Sequence, residues 1–143
     1  MTKDNDDKWH GIQPECKQGH PYRCNKREYL EKLVAEEPIT CKHKDCHAEV
    51  KFYAYQYYPG IKRKVTCTLE WIEPIKVKEK NKFSPYLLKL YRKELNDHVY
   101  WLQYWVWTKL KRTGKMHWAY GQNAPLLDKW EMNQCFKLIE RRK

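Results

Sequence analysis

Five side chains that can bind a metal ion lie in the first third of the chain: Cys16, His20, Cys24, Cys41 and Cys46. A structural zinc ion takes four Cys or His ligands, which proteins usually supply as two pairs on short turns. The first pair here is Cys16-x3-His20, in which Gly19 allows a tight turn, and the second is Cys41-x4-Cys46. We therefore expect a structural Zn²⁺ site formed by Cys16, His20, Cys41 and Cys46.

Several neighbouring residues could replace a member of this set. Cys24 is an alternative to either ligand of the first pair, and His43 or His47 is an alternative to the second ligand of the second pair. The six cysteines could also form disulfides, or stay reduced without a metal. Since the polar segment MTKDNDDKWHG lacks the apolar stretch of a signal peptide, we expect an intracellular protein, nuclear or cytoplasmic, with reduced thiols.

Two short segments resemble known zinc-binding motifs. The sequence CKQGH resembles the Cys-x-x-Gly-His knuckles of zinc ribbons and treble-clef fingers, over about thirty residues in all. The segment CKHKDCHAEVKF, followed by a hairpin, resembles the Cys-Cys half of WRKY and FLYWCH DNA-binding domains. Those domains end in a His-x-His pair, and this chain has TCTLEW at the equivalent position. The first resemblance implies a structural zinc ion and names no single family.

The motifs of metal-dependent and other common enzymes are missing. The chain has no HExxH, and it lacks the His-x-Glu with a Cys pair that nucleobase deaminases use. It also has no Gly-rich phosphate loop and no Gly-x-Ser-x-Gly. We therefore expect a protein that is not an enzyme.

The charge balance favours a polyanionic partner. The 143 residues include 29 Lys and Arg against 18 Asp and Glu, which gives a formal charge of +11 and a pI near 9.3. Such a basic chain is typical of proteins that bind DNA or RNA. Aromatic residues make up 15% of the chain and could stack on bases. No apolar run reaches the roughly 18 residues that a membrane helix needs, so no membrane association is expected.

The elements around the ligand pairs are predicted to be a short helix and a hairpin. Tyr29, Leu30, Leu33 and Val34 recur at helical spacing within NKREYLEKLVAEE, which would bring the two ligand pairs together. Two alternating runs, AEVKFYAYQYY and KRKVTCTLEWI, predict a hairpin about Pro59-Gly60 with Ala54 opposite Val65. That register points Cys67 into the core. The opposite, exposed face would bind nucleic acid through Lys51, Tyr53, Tyr55, Tyr57, Lys62 and Lys64.

The second half of the chain is predicted to be helical. Ser84-Pro85 resembles a helix start, and apolar residues follow at steps of three or four from Tyr91 to Leu110. Asn96-Asp97 could divide this segment into two helices. Its basic end forms a second candidate nucleic-acid surface, consisting of Lys109, Lys111, Arg112 and Lys115. A shorter helix is expected to begin near Pro125.

Together these features predict an α+β fold with an N-terminal zinc knuckle, a short helix, a β-hairpin, and one long and one shorter C-terminal helix. Residues 1–12 would form a flexible leader and residues 13–143 a single zinc-stabilised domain. The expected function is non-enzymatic binding of DNA or RNA. The alternative is an adaptor or antagonist that binds a protein partner through a Trp-rich helical surface.

Overall fold

A computed structural model describes residues 11–58, 63–121 and 126–142 of the chain. The described strands are β1 (Gly11–Ile12), β2 (Glu15–Cys16), β3 (Val50–Lys51), β4 (Ala54–Tyr58), β5 (Arg63–Pro74), β6 (Phe83–Arg92), β7 (Asp97–Lys109) and β8 (Met116–Tyr120). The described helices are α1 (Lys26–Val34) and α2 (Lys129–Arg141). Neither of these helices is long and apolar enough to cross a membrane.

Most of this structure is β-sheet, so the predicted α+β arrangement is wrong. Six strands form one antiparallel sheet in the order β1-β4-β5-β6-β7-β8, and β2 pairs with β3 in a separate two-stranded sheet. The short helix and the C-terminal helix exist as α1 and α2. The long helix does not, because its segment forms β6 and β7.

The error in the long helix has a physical cause. Apolar residues at steps of three and four fit a helix, but the positions between them are also aromatic or β-branched, and this composition favours strands. Asn96 adopts a positive φ of 51°, and its N–H donates to the carbonyl of Lys93 over 3.3 Å. The chain therefore reverses direction at Asn96 between two strands, where the sequence suggested a boundary between helices. The Trp-rich surface accordingly lies on β7, and it is not helical.

The predicted hairpin exists as β4 and β5, but its register differs by two residues. Ala54 pairs with Cys67 and Tyr58 with Arg63, where the prediction placed Ala54 opposite Val65. The predicted register was centred on Pro59-Gly60, and the observed pairing leaves positions 59–62 between the strands. A shift of two keeps each side chain on its face. Ala54, Val65 and Cys67 are accordingly all buried.

Both helices have polar N-caps that the sequence encodes. In α1 the Asn25 side chain accepts a hydrogen bond from the N–H of Glu28. In α2 the Asp128 side chain accepts from the N–H of Glu131, whose carboxylate accepts from the N–H of Asp128 in return. This reciprocal pair is a capping box. It sets the start of α2 at Lys129, four residues after the position expected from Pro125.

The described chain forms two compact units. The first contains residues 11–58, 63–71 and 89–100, and its buried side chains include Tyr29, Leu30, Val65 and Leu90. The second contains residues 72–88, 101–121 and 126–142, and its buried side chains include Tyr86, Leu88, Trp105 and Cys135. Gly11 and Ile12, the last residues of the predicted leader, form β1 and pair with β4.

Candidate metal centre

The first ligand pair lies on a tight turn that follows β2. Cys16 is the last residue of β2, and its carbonyl accepts a hydrogen bond from the N–H of Gly19 over 2.9 Å. The N–H of Cys16 in turn donates to the carbonyl of His20 over 3.0 Å. Gly19 has a φ of 88°, which residues with a side chain rarely adopt. The turn therefore brings the side chains of Cys16 and His20 to the same place.

The second ligand pair lies on a loop closed by backbone pairing. The N–H of Cys41 donates to the carbonyl of Ala48 over 2.8 Å, and Thr40 forms a bridge with Glu49. Within the loop, the N–H of Cys46 donates to the carbonyl of His43 over 3.1 Å. The N–H of His43 also donates to the sulfur of Cys41 over 3.3 Å. This loop therefore holds both of its cysteine side chains in place.

Strand pairing brings the two turns together. The second loop leads directly into β3, where Val50 pairs with Cys16 of β2. The N–H of Lys17 extends the contact by donating to the carbonyl of Glu49 over 3.2 Å. Helix α1 connects the two turns and is anchored by its buried residues Tyr29 and Leu30. This arrangement is consistent with the sequence prediction, in which the helix brings the two ligand pairs together.

The four predicted ligand atoms lie close enough together to bind one metal ion. The Cys16 sulfur lies 3.4 Å from Nδ1 of His20 and 3.7 Å from the Cys46 sulfur. Nδ1 of His20 lies 3.3 Å from the Cys46 sulfur and 3.7 Å from the Cys41 sulfur. All four atoms lie within 4.8 Å of one another. Tetrahedral zinc bonds set such atoms roughly 3.5–3.8 Å apart, so the cluster can hold a metal ion.

Burial and hydrogen bonding act in opposite directions on the ligand thiols. Cys16 and Cys41 are only 2% and 6% exposed, and burial disfavours the thiolate at both. At Cys16, hydrogen bonds from the backbone of His20 and Gln18 and from the thiols of Cys46 and Cys41 together outweigh burial, and the thiol pKa falls below its ordinary value. At Cys41 burial prevails and raises the pKa. A divalent cation would favour the thiolate form of both residues.

The alternative ligands lie outside this cluster in the described part of the chain. Cys24 is half-buried, and burial raises its pKa. The ring of His43 stacks on the ring of His20 with centroids 3.9 Å apart, so it covers a ligand. His47 is exposed. All six cysteines are free thiols, so no disulfide competes with metal binding. Cys67 is buried, as the sequence predicted, and burial raises its pKa to about 11.

The predicted nucleic-acid residues fall into two sets. In the first set Lys51 is exposed, Tyr53 and Tyr55 are half-buried, and Tyr57 pairs with Lys64 in the backbone ladder. Lys62 lies outside the described residues. The second set is exposed at the end of β7 and in the turn before β8, and it consists of Lys109, Lys111, Arg112 and Lys115.

Sequence reasoning missed that the second set belongs to a β-hairpin. Leu110 and Lys115 close the turn, with the N–H of Leu110 donating to the carbonyl of Lys115 over 2.8 Å. Gly114 adopts a φ of 70° within it. The available signal was the Thr113-Gly114 turn between two aromatic runs, which the expectation of a long helix obscured.

Comparisons with other proteins add no information about this site. The resemblance to zinc ribbons and treble-clef fingers rests on the knuckle residues alone. No protein-family model, curated protein or solved structure matches this chain.

Proposed function

We propose that Cys16, His20, Cys41 and Cys46 bind one structural zinc ion. Three sulfur ligands and one imidazole are a donor set that zinc prefers in structural sites. The spacing of the four ligand atoms is the observation that supports this proposal most directly. The metal would join the turn after β2 to the loop before β3. It would stabilise the fold and leave no open position for catalysis.

Elemental analysis of the purified protein tests the metal assignment. We expect about one zinc ion per chain in the wild-type protein, and less than a tenth of that in Cys41→Ser. Cys24→Ser is the matched control, because Cys24 lies outside the cluster, and it should keep its zinc. A wild-type protein that contains no zinc and does not bind it when zinc is added would contradict the proposal.

We further propose that the protein binds nucleic acid through the hairpin of β7 and β8, without acting as an enzyme. This hairpin carries four exposed cations, Lys109, Lys111, Arg112 and Lys115. Between Asp97 and Asp128 the chain contains no Asp or Glu, so no carboxylate of this segment offsets them. A cluster of positive charge of this kind favours contact with phosphates.

Salt dependence of oligonucleotide binding tests this proposal. Replacing Lys109, Lys111 and Lys115 with Ala should weaken binding and reduce the slope of log K against log salt by about 2, since each phosphate contact contributes about 0.7. The matched control replaces Lys76, Lys78 and Lys80, three lysines of the β5-β6 connection, and should have little effect. Undetectable binding to DNA and RNA at low salt would contradict the proposal.

A protein partner is the second candidate, and exposed apolar side chains on α2 favour it. Met132 and Phe136, which lie four residues apart on one face of α2, are both exposed, and Phe136 reaches 58%. Exposed aromatic side chains are common anchors in protein interfaces. If this surface binds a protein, replacing Phe136 with Ser should abolish capture of that protein and leave oligonucleotide affinity unchanged. If wild type and Phe136→Ser capture the partner equally well, this surface is not the binding site.

A further inference from the structure

One face of the β7-β8 hairpin carries a continuous row of aromatic rings. Trp105 pairs with Tyr120, and Trp107 pairs with Trp118. Residues directly opposite each other in an antiparallel pair share a face, and so do residues two apart along a strand. All four rings therefore lie on the same face of the hairpin. Lys109 pairs with Met116 and continues this face toward the turn.

The row contains one buried ring, that of Trp105, and two partly exposed rings, those of Trp107 and Tyr120. Trp105 is buried and packs edge-on against Tyr86, with ring centroids 6.0 Å apart. Trp105 also meets Tyr120 edge-on at 5.5 Å, and Trp107 meets Trp118 edge-on at 5.4 Å. Trp107 is nevertheless 40% exposed and Tyr120 is 48% exposed. The rings are thus held in place by their neighbours while part of their surface remains open to a ligand.

The charge around this face indicates which ligand it fits. Four cations lie at the turn end of the hairpin, next to Trp107, and no acidic residue occurs between Asp97 and Asp128. A ligand with negative charges and flat apolar groups matches both features. Unpaired nucleotides have this chemistry, since their bases stack on aromatic rings and their phosphates pair with Lys and Arg. Bases within a duplex are already stacked, so they cannot use the rings.

We propose that the β7-β8 hairpin binds single-stranded nucleic acid, with unpaired bases stacked on Trp107 and Tyr120 and phosphates at the cationic turn. This inference rests on the proposed nucleic-acid function and names its substrate class. Lys109 lies on the aromatic face beside Trp107, so it is placed to contact the phosphate next to a stacked base. Stacking tolerates any base, and the hairpin should therefore bind without strong sequence preference.

The test compares one oligonucleotide in single-stranded and duplex form at the same salt concentration. The wild-type protein should bind the single strand at least tenfold more tightly. Trp107→Ala should lower single-strand affinity about tenfold, the range expected for loss of one stacked base, and leave duplex affinity unchanged. Trp107→Phe keeps an aromatic ring and should retain most of the affinity. Trp130→Ala removes an equally exposed tryptophan on α2 and is the matched control.

The results separate a failure of this inference from a failure of the proposed function. Trp107→Ala should leave the salt slope unchanged, because stacking releases no counterions, whereas the lysine variants should lower it. Equal affinity for single strand and duplex, or an unchanged affinity in Trp107→Ala, would overturn the inference alone. Absence of all binding to the wild-type protein would overturn the function. The zinc content and unfolding midpoint of each variant show whether it is folded.

Discussion

At the scale of single residues, two short turns set the geometry of the candidate metal centre. The four ligands lie together because each pair occupies a short turn, and short turns depend on local residues such as Gly19. The positive φ values of Asp45 and His47, 62° and 51°, were not predictable, because neither residue type requires that conformation. The stacking of His43 on His20 depends on strand pairing and also could not be read from spacing.

Asp97 should make stability depend on pH. Its carboxylate accepts two hydrogen bonds from Arg92, at 2.8 and 2.6 Å, and these hold its pKa below the ordinary value of 3.8. The folded protein therefore binds this proton less readily than the unfolded chain does, so the stabilisation is full above pH 3.8 and is lost as pH falls through the lowered pKa. We expect Asp97→Asn to be less stable than wild type at pH 7.

Urea unfolding at several pH values measures this effect. The difference between Asp97→Asn and wild type should shrink as the pH falls below 3.8. Asp128→Asn is a useful control, since asparagine also caps helices well and should change stability little. A difference that stays constant from pH 7 to pH 2 would show that the Arg92 pair does not cause it.

Tyr29 offers a second prediction at this scale. It is 1% exposed, and its hydroxyl has no hydrogen-bond partner among the described residues. A buried hydroxyl without a partner costs about 1 kcal/mol or more. Tyr29→Phe keeps the ring contacts with Tyr22 and Phe52 and should raise the free energy of unfolding by about 1 kcal/mol. Tyr29→Leu should lower it, and a loss of stability in Tyr29→Phe would reveal a hydrogen bond to water.

At the scale of elements, the sequence predicted short helices well and failed on the aromatic segment. Helix α1 and helix α2 carry polar caps and clear amphipathic spacing, and both exist. In β7 the apolar residues are so frequent that they satisfy a period of two and a period of 3.6 at once. Pairing with β6 and β8 makes this segment a strand and not a helix. That pairing depends on residues outside the segment itself.

Asn96 provides a direct test of the turn between β6 and β7. Its φ of 51° is costly for alanine by about 1–2 kcal/mol and is accessible to glycine. Both substitutions lose the hydrogen bond from the Tyr91 hydroxyl, which is 2.8 Å long. Asn96→Ala should therefore be less stable than Asn96→Gly by about 1 kcal/mol in denaturant unfolding. A helix at this position would give the opposite order, because alanine favours helices over glycine.

At the scale of the whole molecule, charge and cysteine chemistry are distributed unevenly along the chain. The candidate metal ligands lie in the first unit, and the basic segment from Trp101 to Tyr120, which has no acidic residue, lies in the second. Net charge could be read from composition, and the sequence alone places Lys109, Lys111, Arg112 and Lys115 within seven positions of one another. The aromatic face beside them could not be found, because it exists only once β7 and β8 pair in register.

The reactivity of each thiol toward a labelling reagent under native conditions should show both whether a metal is bound and whether the core is folded. In the zinc-loaded protein the metal would protect Cys16, Cys41 and Cys46, and burial protects Cys67 and Cys135, so we expect only the half-buried Cys24 to react. After chelation of the metal, the three ligand cysteines should also react with the label. In denaturant, Cys67 and Cys135 should react as well. The control Cys24→Ser should then show no reactive thiol before chelation. If the ligand cysteines of the zinc-loaded protein react as fast as Cys24, they do not hold the metal.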